Sequence, residues 1–357
     1  MVEQVLVTLR HNPGIDPILA IWDWRIAVYL FLGGLTAGIM LVSAWAVVAN
    51  KDRELPFAAF QYSLWGPIVL SVGMTTLFFD LDYKLHVFRF YTTFQPASPM
   101  SWGAWILVLV YPVNLLLILA NLRQGYPRLT EYLLPVPFAA RLLDTTERFR
   151  RLIAWFTIPL GIGLGVYTGI LLSAFMARPF WNTSLLGPLF LVSGLSTSAA
   201  LAVLASKHPQ ERRWFTRLDL GLILVELVIV ALLLIGLLSG SHVQLEAASL
   251  IFGGSFTIAF WLFFVVLALF VPLVLELLEI RGRAVPLLLA PVLVLVGGFI
   301  LRQVTLDLGQ SSEWAHYKNQ FNPQLLERLS DEQRLRNATE ITSPSGLPHR
   351  PSSALRQ

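Results

Sequence analysis

Ionisable side chains are rare in this protein, so the places where they gather are informative. The densest gathering reads Phe78-Phe-Asp-Leu-Asp-Tyr-Lys-Leu-His-Val-Phe-Arg-Phe-Tyr91, followed by Gln95-Pro-Ala-Ser-Pro-Met-Ser-Trp-Gly103. Asp80 ends an apolar run, with Asp82, Lys84, His86 and Arg89 close behind. A carboxylate and an imidazole at such a boundary are candidate general acids and bases. The mixture of charge and aromatic rings suits a molecule with a polar head and an apolar tail. Lys84 and Arg89 also read as ordinary interface anchors. A second candidate is Tyr167, set among small residues in Gly161-Ile-Gly-Leu-Gly-Val-Tyr-Thr-Gly-Ile-Leu-Leu172. Glycines on both sides let a helix or a flat ring approach its backbone; packing between helices is the competing role. Asp23 and Tyr29, in Trp22-Asp-Trp-Arg-Ile-Ala-Val-Tyr-Leu-Phe31, open another apolar run and could join a site. Glu226 stands inside an apolar stretch, where a carboxylate marks either a proton or ion path or a hydrogen bond to a neighbouring Ser or Thr. Arg302 lies near the outer end of the last apolar run, where it can snorkel, and reads as structural or partner-facing.

The elements that carry these residues are membrane helices. The protein has 357 residues, 55% of them hydrophobic and 13% charged, with a mean hydropathy of +0.66. Soluble domains carry about 25% charged residues. The apolar residues fall in runs of the length, about 20 residues, that crosses a bilayer as helix. Eight spans are expected near 26–49, 59–79, 102–122, 152–175, 185–206, 218–239, 255–279 and 285–306, giving an all-α membrane protein. Cysteine is absent, so no disulfide, cysteine-ligated iron–sulfur cluster or covalently attached haem can be held here. None of the six histidines lies inside an apolar run, which argues against a b-type haem between the helices. Any metal centre would therefore sit in a partner.

Lysines and arginines set the expected orientation. The loops after the first, third, fifth and seventh spans hold most of them, including Arg141, Arg148, Arg150 and Arg151, whereas the opposite side holds few. The positive-inside bias then puts both termini outside, and Asp80, His86 and Tyr167 near the outer face. The first 25 residues lack a signal-like apolar core, so the N-terminus is expected to be retained. Phe31-Leu-Gly-Gly-Leu-Thr-Ala-Gly38 echoes Leu191-Val-Ser-Gly-Leu-Ser-Thr-Ser198. Either two four-helix units repeat in one orientation, or both stretches are small-residue packing faces. The expected division is an outer segment 1–25, a first four-helix bundle 26–175, a second 176–307 and a polar tail 308–357.

Five stretches, in order between about residues 18 and 309, resemble the polysulfide reductase/NrfD family of quinone-reactive membrane subunits. They are Tyr29-Leu-Phe-Leu-Gly-Gly-Leu-Thr-Ala-Gly38; Asp80-Leu with Ser98-Pro-Met-Ser-Trp-Gly-Ala-Trp105; Tyr167-Thr-Gly-Ile-Leu-Leu172; Pro188-Leu-Phe-Leu-Val-Ser-Gly-Leu195; and Gly297-Gly-Phe-Ile-Leu-Arg302. The resemblance implies a subunit of a respiratory oxidoreductase complex in a bacterial or archaeal cytoplasmic membrane. It implies binding of quinol or quinone (menaquinone or ubiquinone) without haem or an iron–sulfur cluster in this chain. Electrons would pass to or from an iron–sulfur subunit on the outer face, with a molybdopterin enzyme or a cytochrome beyond it. The ring is expected in the first four-helix unit, touching Tyr167 and Asp80, with Tyr29, Asp23 and Arg89 as further contacts. Some family members have a His or Asn where this sequence reads Trp22-Asp23-Trp24, and His11 lies too far upstream to replace it. The proton acceptor therefore stays open among Asp80, Asp23 and His86. A secondary transporter is the rival reading, on the strength of Glu226 and the glycine-rich helices; a membrane anchor without ligand is a third.

Overall fold

Apolar runs of this length have one way to satisfy their backbone amides in lipid, which is to coil. The computed structural model describes residues 22–175, 178–283, 285–312, 328 and 331–332, and the elements below all belong to the unit Leu19–Trp314. Among the described residues, eight helices are long and apolar enough to cross a membrane: α1 (Trp24–Val48), α2 (Phe57–Asp80), α3 (Pro99–Gly125), α4 (Arg150–Ser173), α5 (Leu186–Ala205), α6 (Pro209–Leu238), α7 (Ile258–Ile280) and α8 (Leu289–Ser311). The protein is a multi-pass, all-helical integral membrane protein. The expected spans agree to within five residues at nearly every end. The exception is α6, which starts at Pro209 rather than near 218, because its charged first turns are helical as well. His11, the segment before residue 22 and nearly all of the expected tail lie outside the described residues.

Local sequence explains the helix ends. Asp23 caps α1, accepting from the Arg25 backbone N–H at 2.8 Å. Prolines at first-turn positions start α3 and α6, where a missing N–H costs nothing. The first turns of α2 are irregular, a π-helical turn at Phe57–Gln61 followed by a 3₁₀ turn at Tyr62–Leu64. The buried Glu211 carboxylate, from the start of α6, accepts there from the backbone N–H groups of Phe57 at 3.3 Å and Ala58 at 2.8 Å, and from the Ser206 hydroxyl at 2.8 Å.

α1 packs against α2, α4, α5 and α8, and 78% of its apolar window is buried, against 28% for α2, α6 and α7. The two echoing stretches meet face to face in this packing. A Cβ at Gly38 would overlap the Gly194 carbonyl oxygen and lie 2.5 Å from Ser198 Cβ, so only glycine allows α1 and α5 to come this close. Between α3 and α4, two short helices at Pro127–Leu133 and Pro137–Arg148 replace what the sequence reads as a loop.

Candidate functional site

The start of α1, the end of α2, the start of α3 and the C-terminal turns of α4 share one end of the helix assembly. Arg25 ties the first two together. Its Nη1 donates to the Phe79 carbonyl at 3.0 Å, its Nη2 lies 3.5 Å from Asp80 Oδ1, and its Nε donates to Asp23 Oδ2 at 2.8 Å. A cation on the last turn of α2 answers the negative end of that helix. Asp80 is largely shielded, its side chain 18% exposed, and Asp23, Asp82 and Lys84 also act on it electrostatically. Asp23 and Asp80 are thus brought together around one guanidinium.

Tyr167 meets α3 at Gly103. A Cβ there would fall inside the Tyr167 ring, against Cζ, so the phenol crosses α3 only because that position is glycine. The phenol of Tyr29 lies within electrostatic reach of those of Tyr167, Tyr91 and Tyr111. Tyr111 is joined to Ser71 of α2 across 3.2 Å. Tyr29 and Tyr167 are each 6% exposed. Neither hydroxyl has a hydrogen-bond partner among the described residues, yet neither is fully enclosed. Two buried phenols with open hydroxyls fit a ligand that brings its own acceptors. Burial, and secondarily the neighbouring Tyr111, push the Tyr91 phenol up from the ordinary value of 10.0. It therefore stays a proton donor at neutral pH.

His86 and Arg89 are exposed and line a cavity of about 560 Å³ in the loop before α3, with Asp82, Gln95 and Ser101. Neither Asp80 nor Tyr167 lines it. The sequence-expected residues therefore fall into three neighbouring groups: Asp23 with Asp80, Tyr29 with Tyr167, and His86 with Arg89. Tyr91, Tyr111, Gly103 and Arg25 complete them and were not singled out by the sequence. The available signal was Arg25 and Asp80 at adjoining helix ends.

Glu226 is buried beside Ser193 and Arg302. Here the structure corrects an expectation, because Arg302 does not snorkel. It is 0% exposed and donates from Nη1 to Ser193 Oγ at 2.6 Å and to the Gly298 carbonyl at 3.0 Å, and from Nη2 to the Phe190 carbonyl at 2.9 Å. It points inward because buried acceptors and the Glu226 carboxylate lie there. Nor is Glu226 alone: Asp219 and Glu276 are also buried and act on each other electrostatically, with Ser196 donating to Asp219 Oδ1 at 2.5 Å. Seven residues, or two turns, separate Asp219 from Glu226, so both lie on the same face of α6.

An eight-span helical membrane protein with paired acids and buried phenols at its helix ends and buried carboxylates on α6 and α7 is the class this fold and site define. The chain belongs to the polysulphide reductase NrfD family, which matches residues 13–312. It is 31% identical over 306 residues to the C-chain of the polysulfide reductase of Wolinella succinogenes, covering 82% of this sequence and 95% of that one. Protein NrfD of Escherichia coli is 30% identical over 306 residues, covering 81% and 95%. The C-subunit of the selenate reductase of Mesobacillus selenatarsenatis is 25% identical over 321 residues, covering 79% and 72%.

Proposed function

We propose that the protein is the quinol- or quinone-reactive subunit of a membrane oxidoreductase complex, bound to a bacterial or archaeal cytoplasmic membrane. The observation that carries this reading is the pair of buried phenols, Tyr29 and Tyr167, without a hydrogen-bond partner among the described residues, on helices whose ends also carry the Asp80–Arg25–Asp23 group. A quinone of the menaquinone or ubiquinone type would supply two-electron, two-proton chemistry there. Tyr167 and Tyr29 would donate hydrogen bonds to a ring oxygen. Asp80, steadied by Arg25, would take up or release the proton, with Asp23 and His86 as the other candidates and Arg89 as a charge at the rim. The names of the Wolinella and Mesobacillus relatives support a place in a terminal reductase complex. An iron–sulfur subunit on the outer face would then exchange the electrons, with a molybdopterin subunit or a cytochrome beyond it. Both termini outside and a quinone-binding first four-helix bundle belong to the same reading. Glu226, with Ser193 and Arg302, would serve as a proton path through the second half.

The test is quinone binding by the purified complex, wild type against Tyr167→Phe and Asp80→Asn. Weaker binding or lost quinol-linked electron transfer in an intact complex is expected. Normal binding and turnover in both variants would overturn the site. A wild-type complex that binds no quinone would favour the secondary transporter that the buried acids could serve, or a plain anchor.

A further inference from the structure

The segment joining α3 to α4 carries a surface that quinone chemistry leaves unused. Its helix Pro137–Arg148 is pinned to the end of α3. Leu143 is buried against Ile118 and Leu122. Arg123, in the last turn of α3, donates to Asp144 Oδ1 at 2.5 Å and to Glu147 Oε2 at 2.8 Å, and Gln124 donates to Glu147 Oε1 at 2.9 Å. Ile118–Arg123 falls in the final turns of a membrane span, so the short helix is held at the depth where α3 leaves the hydrocarbon.

The side of this helix away from Leu143 and Thr146 is a single stripe. Positions 138, 141, 145 and 148 share it by helical spacing, and Phe149 caps the end of the helix beside Arg148. Phe138 is 77% exposed and Phe149 47%, while Arg141, Thr145 and Arg148 between them are exposed as well. Both acids of the helix are already engaged by α3. No acid pairs with Arg141 or Arg148 among the described residues; the Arg148 guanidinium only overlies the Phe149 ring at 5.9 Å. Arg128, in the preceding short helix, is exposed and without an acidic partner too. Phenylalanines and unpaired arginines on one exposed stripe, at headgroup depth, are the two halves of a lipid contact: acyl chains take the rings and phosphates take the guanidiniums.

We propose that Arg141 and Arg148 bind the phosphates of anionic phospholipid, with Phe138 and Phe149 seated among the acyl chains. The two arginines stand about 10 Å apart along the helix axis, so they hold two phosphates rather than one. The inference is independent of the quinone reading. The other occupant such a stripe could take is a protein subunit, and charge and depth together favour lipid.

The test uses the whole complex in nanodiscs of mixed phosphatidylglycerol and phosphatidylcholine, with retained lipid counted by native mass spectrometry. Each arginine near an anionic surface contributes about a fivefold preference, so Arg141→Gln with Arg148→Gln should cut retained phosphatidylglycerol by about tenfold or more. Arg53→Gln, a single exposed arginine in the loop after α1, should lower it by no more than about fivefold. A photoreactive phenylalanine analogue at position 138 should label lipid in the otherwise wild-type complex. Equal phosphatidylglycerol retention in the double variant, or label on a protein subunit, overturns the proposal.

Discussion

Tyr167 reaches across α3 because one residue, Gly103, has no side chain in its way. Gly103→Ala places a methyl group inside the ring's volume, and the ring has to leave. Displacing a positioning group by about 1 Å can cost on the order of a hundredfold. The variant complex is therefore expected to assemble but to bind quinone at least about tenfold more weakly, in the same titration that tests Tyr167→Phe. Wild-type binding would show that the phenol does not touch the ring. At this scale part of the site is legible in the sequence. Asp80 and Tyr167 stand out because a carboxylate at a helix end and a phenol among glycines are each conspicuous. Tyr91 and Tyr111 do not, because a tyrosine in or near an apolar run is as easily an interface residue. Asp219 and Glu276 escape notice for another reason. With α6 expected to begin near residue 218 and α7 to end near 279, both acids look like residues close to a span boundary; the longer α6 puts Asp219 well inside.

Helices are legible where lipid dictates them and obscure where it does not. Eight apolar runs of sufficient length must be eight helices. The helix Pro137–Arg148 cannot be found that way, since its apolar face is a narrow stripe among charges. The irregular start of α2 is equally hidden, because it is set by a carboxylate more than 150 positions away: Glu211, which satisfies two of its backbone donors. Removing that carboxylate leaves buried N–H groups and the Ser206 hydroxyl unpaired, at about 1–3 kcal/mol for each group. Glu211→Ala should therefore destabilise the protein by roughly 3 kcal/mol or more, read as a lowered melting temperature in detergent. Glu211→Gln, which keeps one acceptor, should recover part of the loss. Equal stability of Glu211→Ala and wild type would mean that water replaces the carboxylate.

Across the whole molecule α1 is the common neighbour, with α2, α4, α5 and α8 all packed on it. The Arg302 guanidinium, which accompanies Glu226, lies 2.9 Å from where a Cβ at Gly34 would stand, and Tyr29 is on the same helix. The proposed proton path and the proposed quinone site are thus two faces of one rod. Glu226→Gln should lower proton uptake per electron while quinol-linked electron transfer continues, measured in sealed vesicles with a pH dye. If uptake and turnover both stay at wild-type levels, Glu226 is a structural hydrogen-bonding group. The central place of α1 also has a consequence for biogenesis. It is the first of the eight helices in sequence order, yet two of its principal neighbours, α5 and α8, are made much later. During synthesis its close-packing glycine face must wait in lipid, without partners, until the last span has been inserted. Final assembly is then a lateral docking step after translocation, and a polypeptide interrupted before Leu289 would be threaded through the membrane but left open along one side of α1.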